Sequence, residues 1–222
     1  MQHISNYLFY IIPTAAGIAF LVSLTVFFQP AKERYLKYFS FFLLASWLME
    51  ILGGYLALAK INNIMLNNIY TMLVVTFELW LVREIIYKKM AKKVLFYVVV
   101  CYPLVCLLNI FFIQHGDFHT TSYSFGCLLI VGACIYYFLE LFQRSYSVTL
   151  GRQPGFWICS GLLFYYCCTF PLYGLTKLME ALPLVIIQNL IVILDVLNIL
   201  LYLSFSIAFL CRLKTKKSMS LF

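Results

Sequence analysis

Long apolar runs alternate with short polar breaks along the whole chain, a rhythm that predicts helices rather than strands. A bilayer-crossing helix needs about 20 mostly apolar residues. Runs of that kind cover 7–28, 38–59, 64–87, 94–114, 122–142, 155–179 and 183–211. Polar breaks at 29–34, 60–63, 88–93, 115–117 and 151–154 separate them. The break around Glu180, Ala181, Leu182 and Pro183 is the weakest, and one long sixth helix interrupted at Pro183 is the alternative there. The expected architecture is an all-α, seven-transmembrane helix bundle, a single polytopic domain over residues 1–222.

Inside these runs the polar residues keep helical register. On the seventh helix Gln188, Asp195, Asn198, Tyr202 and Ser206 follow one another at intervals of 7, 3, 4 and 4, which is one face. On the third, Asn67, Thr71 and Glu78 are spaced by 4 and 7. On the second, Ser46, Glu50, Gly53 and Ala57 make a small-and-polar stripe that would let a neighbouring helix approach closely. Three such faces would naturally turn towards one another.

Composition turns this pattern into a membrane assignment. Of 222 residues, 64% are hydrophobic and 11% charged, whereas soluble domains run near 45–50% apolar and about 25% charged. The net charge of +8 would suggest nucleic acid if it were clustered on a polar domain, but here it follows orientation. Lys32, Arg34, Lys37, Arg83, Lys88, Lys89, Lys92, Lys93, Arg144, Arg152, Arg212, Lys214, Lys216 and Lys217 fall on one side, and only Lys60 and Lys177 on the other. The positive-inside rule then puts the carboxy terminus in the cytoplasm and the amino terminus outside. The first segment has no preceding basic residue and no small-residue cleavage site, so it is expected to be a retained helix rather than a signal peptide. Eight cysteines lie in or at the ends of apolar runs without a Cys-x-x-Cys spacing, which argues against disulfides and for small core residues.

Candidate chemistry rests on the buried polar groups. A charge at bilayer depth costs about 2.5–3.5 kcal/mol on insertion scales. Glu50, Glu78 and Asp195 sit near helix midpoints, and no lysine, arginine or histidine shares that depth. Such acids are expected to be neutral, hydrogen-bonded, or bound to a cation or cationic ligand. The competing reading is helix–helix glue, at about 0.6 kcal/mol per hydrogen bond; Asn109 and Glu140 fit it better than a site does. Tyr165, Tyr166 and Tyr202 lie deep and need hydroxyl partners, whereas Tyr35, Tyr38, Tyr87, Tyr146 and Trp157 suit interfacial belts. His3, His115 and His119 are expected as ordinary solvated histidines, with no metal site.

The sequence lacks a retinal-binding lysine in the last helix, a Walker A loop, His-Glu-x-x-His and Gly-x-Ser-x-Gly. No cofactor is expected, and catalysis is less favoured than binding. The leading expectation is sensing or receptor-like binding of a small ligand or lipid at a polar midplane site built from Glu50, Asn67, Asn68, Tyr70, Glu78, Gln188, Asp195, Asn198 and Tyr202. Alternatives are a small-solute or cation transporter coupled to protons, an intramembrane lipid-modifying enzyme, and a pore-forming effector. Partners would be the lipid bilayer, the ligand, and a cytoplasmic protein at the basic residues of 88–93 and of the carboxy-terminal tail.

The stretch Ile61-Asn62-Asn63-Ile64-Met65-Leu66-Asn67-Asn68-Ile69-Tyr70-Thr71, continuing to Phe77-Glu78, resembles an uncharacterised family of small seven-helix inner-membrane proteins common in Bacteroidetes. The likeness extends to Ser46 and Glu50, to Phe156-Trp157 with Leu163-Phe164-Tyr165-Tyr166, and to Ala208-Phe209-Leu210-Cys211-Arg212. It implies a bacterial cytoplasmic membrane and singles out Glu50, Asn68, Tyr70 and Glu78, but implies no activity. Internally, Gln29-Pro30 and Gln153-Pro154 each precede an outward helix, and Asn67-Asn68 and Gln188-Asn189 open the next inward one. This would fit a 3+1+3 parallel repeat.

Overall fold

A computed structural model describes residues 2–28, 33–114, 117–143, 150–174 and 183–219. The described residues are helical and contain no strand. The elements are α1 (Gln2–Ser23), α2 (Thr25–Phe28), α3 (Tyr35–Leu58), α4 (Ile64–Ile85), α5 (Lys89–Leu108), a π-helical turn (Asn109–Ile113), α6 (Thr120–Phe142), a 3-10 turn (Leu150–Arg152), α7 (Pro154–Gly174) and α8 (Leu184–Met219). Among the described residues, seven helical stretches are long and apolar enough to cross a membrane: Ile11–Phe28, Tyr35–Leu58, Ile64–Ile85, Lys89–Ile113, Thr120–Phe142, Pro154–Tyr173 and Asn189–Cys211. The chain therefore fits a multi-pass membrane protein.

Helix ends depart from the apolar runs for local reasons. The fourth span begins at Lys89, not at Val94, because lysine and alanine are good helix formers and carry the turn out past the apolar stretch. Pro154, placed first in α7, has the fixed backbone angle a helix start needs and lacks only an N–H that would go unused. Between α1 and α2 the ladder loosens at Leu24, whose N–H lies 3.2 Å from both Phe20 O and Leu21 O. There the hydroxyls of Ser23 and Thr25 bond back to Phe20 O and Val22 O and compete with the helical pattern. The connections at 29–32, 115–116, 144–149 and 175–182 lie outside the described residues, and with them Gln29-Pro30, His115, Arg144, Tyr146, Lys177 and the Glu180–Leu182 break.

The chain forms two compact units. Unit 1 comprises Met1–Leu58, Tyr146–Gly161 and Ile191–Phe222; unit 2 comprises Ala59–Ser145 and Leu162–Leu190. The division runs inside α7 and α8 and not at the two sides of the fourth span.

In unit 1, α1 packs on α3. Ser23 and Ser40 share a hydrogen bond of 2.6 Å, and Phe20 stacks on Trp47 at 5.9 Å. From α3, Phe39 meets Phe205 edge-on at 4.8 Å and stacks on Phe209 at 5.4 Å, which ties α3 to α8. Gly161 of α7 faces α8 so closely that a β-carbon would stand 2.7 Å from Ser204 Cβ. Lipid offers no hydrophobic incentive for helices to associate, so contacts of this kind, small residues and side-chain hydrogen bonds hold them together. The stripe read on α3 does not serve this way at Gly53, where nothing among the described residues lies within 4 Å of an added β-carbon.

In unit 2, α4 packs on both α5 and α6. At one end the Glu140 carboxylate accepts the backbone N–H of Tyr87 at 2.8 Å and of Lys88 at 2.6 Å, which fixes the turn into α5. Nearby, Arg83 pairs with Glu84, donates to Lys92 O and lies over the Phe96 ring. Glu140 therefore takes the anchoring role expected of it. At the opposite end, Gln114 N–H reaches back five residues to Asn109 O at 2.8 Å and closes the π-helical turn. Asn109, also expected as glue, donates to Gln114 Oε1 and Ser122 Oγ.

Candidate functional site

Among the described residues, each unit holds an acid–phenol pair. In unit 2 the Tyr166 hydroxyl of α7 donates to Glu78 Oε2 of α4, and both residues are fully enclosed, at 1% and 2% exposure. In unit 1 the Tyr202 hydroxyl of α8 donates to Glu50 Oε1 of α3 at 3.2 Å. Asp195, two turns before Tyr202 on α8, lies close enough for its carboxyl to act electrostatically on that of Glu50. Glu50 and Asp195 are half-buried. Among the described residues the one ion pair is Arg83 with Glu84, so no lysine, arginine or histidine neutralises Glu50, Glu78 or Asp195 there.

The remaining expected residues distribute as follows. Asn198 is half-buried on α8 within unit 1, one turn before Tyr202. Ser206, on the same face, bonds back to Tyr202 O of its own helix. Asn67 and Tyr70 are half-buried on α4, and Asn67 O accepts the Thr71 hydroxyl at 2.8 Å. Gln188 lies on the α8 backbone, but its side chain is outside the described residues. Asn68 is engaged at both ends of its amide: Nδ2 donates to Asp117 O at 2.9 Å and Oδ1 accepts His119 N–H at 3.2 Å. It thereby clasps the connection into α6.

His119 corrects the expectation of a solvated histidine. It is 0% exposed. Its Nε2 lies 2.9 Å from both Asn68 O and Thr71 Oγ1, its Nδ1 3.2 Å from Ser122 Oγ, and its ring stacks on Phe118 at 5.0 Å. Asn68 O can only accept, so Nε2 carries the proton and Nδ1 is free to accept from Ser122. Burial holds the imidazole below its ordinary value, with the Asn68 carbonyl working in the other direction. The legible signal was the His-Thr-Thr-Ser run opening an apolar stretch, a helix start that puts His119 beside the start of α4.

Around Glu78, unit 2 gathers further hydroxyl and thiol groups. Tyr165 and Tyr123 lie close enough to act on one another electrostatically, as does Cys127 with Thr169 and Tyr123. All of them except Tyr165 and Tyr123 are completely enclosed, and Tyr123 is 5% exposed. Tyr123 meets Tyr173 edge-on at 4.8 Å, and Tyr173 meets Phe118 at 5.6 Å. Tyr102 adds a hydroxyl on the α5 side, donating to Ser122 O at 3.3 Å. Sequence reasoning named Glu78 as a site residue and Tyr165 and Tyr166 as deep hydroxyls in need of partners, but not Tyr102, Tyr123, Thr169 or Tyr173. No group of three or more His, Cys, Asp or Glu with metal-binding geometry occurs among the described residues.

Comparison with known proteins gives no match to a family model, to a curated protein or to a solved structure.

Proposed function

We propose that the protein is a receptor-like membrane protein that binds a small amine-bearing ligand or lipid, with Glu50, Asp195, Asn198 and Tyr202 as the binding residues in unit 1. The observation that carries this reading is the bond from Tyr202 to Glu50, with the Asp195 carboxyl within electrostatic reach of Glu50 and no protein cation paired with either among the described residues. Two neighbouring acids in a water-poor site repel one another unless a proton or a cation lies with them. An ammonium group meets that need, and Tyr202 and Asn198 supply hydrogen bonds that orient it. Within unit 2, Asn67, Asn68 and Tyr70 would set α4; Gln188 is kept as a candidate on the sequence pattern alone. The basic residues of 88–93 and the tail would pass the bound state to a cytoplasmic partner. Thermal unfolding of the protein in lipid nanodiscs, titrated with choline, ethanolamine and phosphatidylethanolamine, tests the reading. A ligand at about 100 times its dissociation constant stabilises by about 2.7 kcal/mol, and this gain should vanish in Glu50→Gln and Asp195→Asn. No stabilisation by any amine sinks it.

A second reading, proton-linked movement of a small solute or cation, is favoured by the enclosed Glu78–Tyr166 pair. It expects uptake into liposomes that Glu78→Gln abolishes.

The same proposal places the chain in a bacterial cytoplasmic membrane, amino terminus outside, on the strength of the basic-residue distribution and the family resemblance. Cysteine labelling at residues 61 and 90 from each face of the membrane tests that orientation. The 3+1+3 parallel repeat rests on the recurring Gln-Pro and paired-amide positions alone.

A further inference from the structure

The shell around Glu78 points to a function of its own. A carboxylate enclosed without a cation is strongly disfavoured, because nothing replaces the water it leaves. A neutral carboxyl suits the site, since Tyr166 can donate to one oxygen and the other can carry a proton. What surrounds it is equally specific. Tyr166, Tyr165, Tyr123, Cys127 and Thr169 each bear a group that both donates and accepts, and Tyr123 is within electrostatic reach of Tyr165, as Cys127 is of Tyr123 and Thr169. The rings of Tyr165 and Tyr166 are 5.0 Å apart, and that of Tyr123 lies 4.8 Å from Tyr173 and 6.4 Å from His119. These hydroxyls step from the helix midpoint towards the end where α4 and α6 begin.

We propose that Glu78 is an exchangeable proton site, reached from the His119 end of unit 2 through the phenols of Tyr173, Tyr123, Tyr165 and Tyr166. In loading, each hydroxyl passes its proton forward to the next oxygen and takes one from behind. The carboxylate becomes a carboxyl, each phenol ends as it began, and no oxidant or reductant takes part. Release is the reverse. The Cys127–Thr169 branch keeps Tyr123 oriented and retains its own protons. This deepens the proton-linked reading by naming its carrier and route, and rests on that reading only for any coupling to a solute.

Infrared spectroscopy of the protein in lipid nanodiscs, on transfer from H2O to D2O, reads the site without a transport assay. The protonated-carboxyl stretch that Glu78→Gln removes belongs to Glu78. Tyr166→Phe should keep that band but raise its frequency, because a donated hydrogen bond is gone. Tyr123→Phe should keep its intensity and slow its exchange by about tenfold or more, with Tyr173→Phe as the second variant at the same step. Tyr97→Phe, which alters an exposed phenol, should exchange like the unaltered protein. A band unchanged by Glu78→Gln overturns the site. Exchange as fast in Tyr123→Phe and Tyr173→Phe as in the unaltered protein overturns the route. Intact exchange without solute uptake would instead remove the transport reading and leave the proton site standing.

Discussion

The hydroxyl oxygen of Tyr102 stands 2.5 Å from the position a β-carbon would occupy on Gly126, with Val75 Cγ1 at 2.8 Å on the other flank. Three helices of unit 2 meet at that point, α5 through Tyr102, α4 through Val75 and α6 through the bare glycine backbone. Gly126→Ala must therefore push an enclosed phenol and a branched side chain apart. Overpacking of this kind costs about 1–3 kcal/mol, to be read as a lowered melting temperature in nanodiscs. Gly53→Ala, with open space around it, should be neutral or slightly stabilising, and equal losses in the two variants would refute the packing argument.

Acid should weaken unit 2 through His119. Burial lowers its proton affinity in the folded chain, so below its ordinary value of 6.5 the unfolded chain binds the proton first. Stability is complete above that value and is lost as the pH falls towards the depressed folded value. Melting curves from about pH 8 to about pH 5 should show the loss, with a shallower slope in His119→Gln. A slope unchanged by the substitution would assign the acid sensitivity to another group.

Glu140 holds two backbone amides at the entrance to α5. Glu140→Ala leaves both without that acceptor and should cost about 1–2 kcal/mol, whereas Glu140→Gln keeps one amide-facing oxygen and should cost less. Hydrogen exchange at the amides of Tyr87 and Lys88 is the direct measurement. Protection that persists in Glu140→Ala would mean that the carboxylate is not what holds them.

The bond from Tyr202 to Glu50 predicts coupling between the two positions. A double-mutant cycle with Tyr202→Phe and Glu50→Gln should return about 0.6 kcal/mol or more, the usual scale for hydrogen bonds between membrane helices. Additive losses would refute the coupling between the two positions.

How far the sequence reached depended on what each feature leaves in it. Seven spans were legible because lipid demands an unbroken apolar run for each. The need of Tyr166 and Tyr202 for partners followed from depth, and the face of α8 carrying Asp195 and Tyr202 from period. The partners themselves were not legible. Helical period says which residues share a face but not which helix that face meets, and Glu78 and Tyr166 are 88 residues apart. Glu140 bonds backbone N–H groups, which every residue but proline has, so its partners leave no mark at all. His119 looked solvated because it sits in a connection. What removes it from water is Asn68, drawing that connection down onto α4.

The length of α8 has a mechanical consequence. Its 36 residues make a rod of about 54 Å at about 1.5 Å per residue, against a hydrocarbon layer of about 30 Å. The apolar stretch stops at Cys211 while the helix runs on to Met219. A tilt of only a few degrees within the membrane would thus be carried outward undamped, as along the arm of a lever, and would swing the Lys214, Lys216 and Lys217 positions sideways through water.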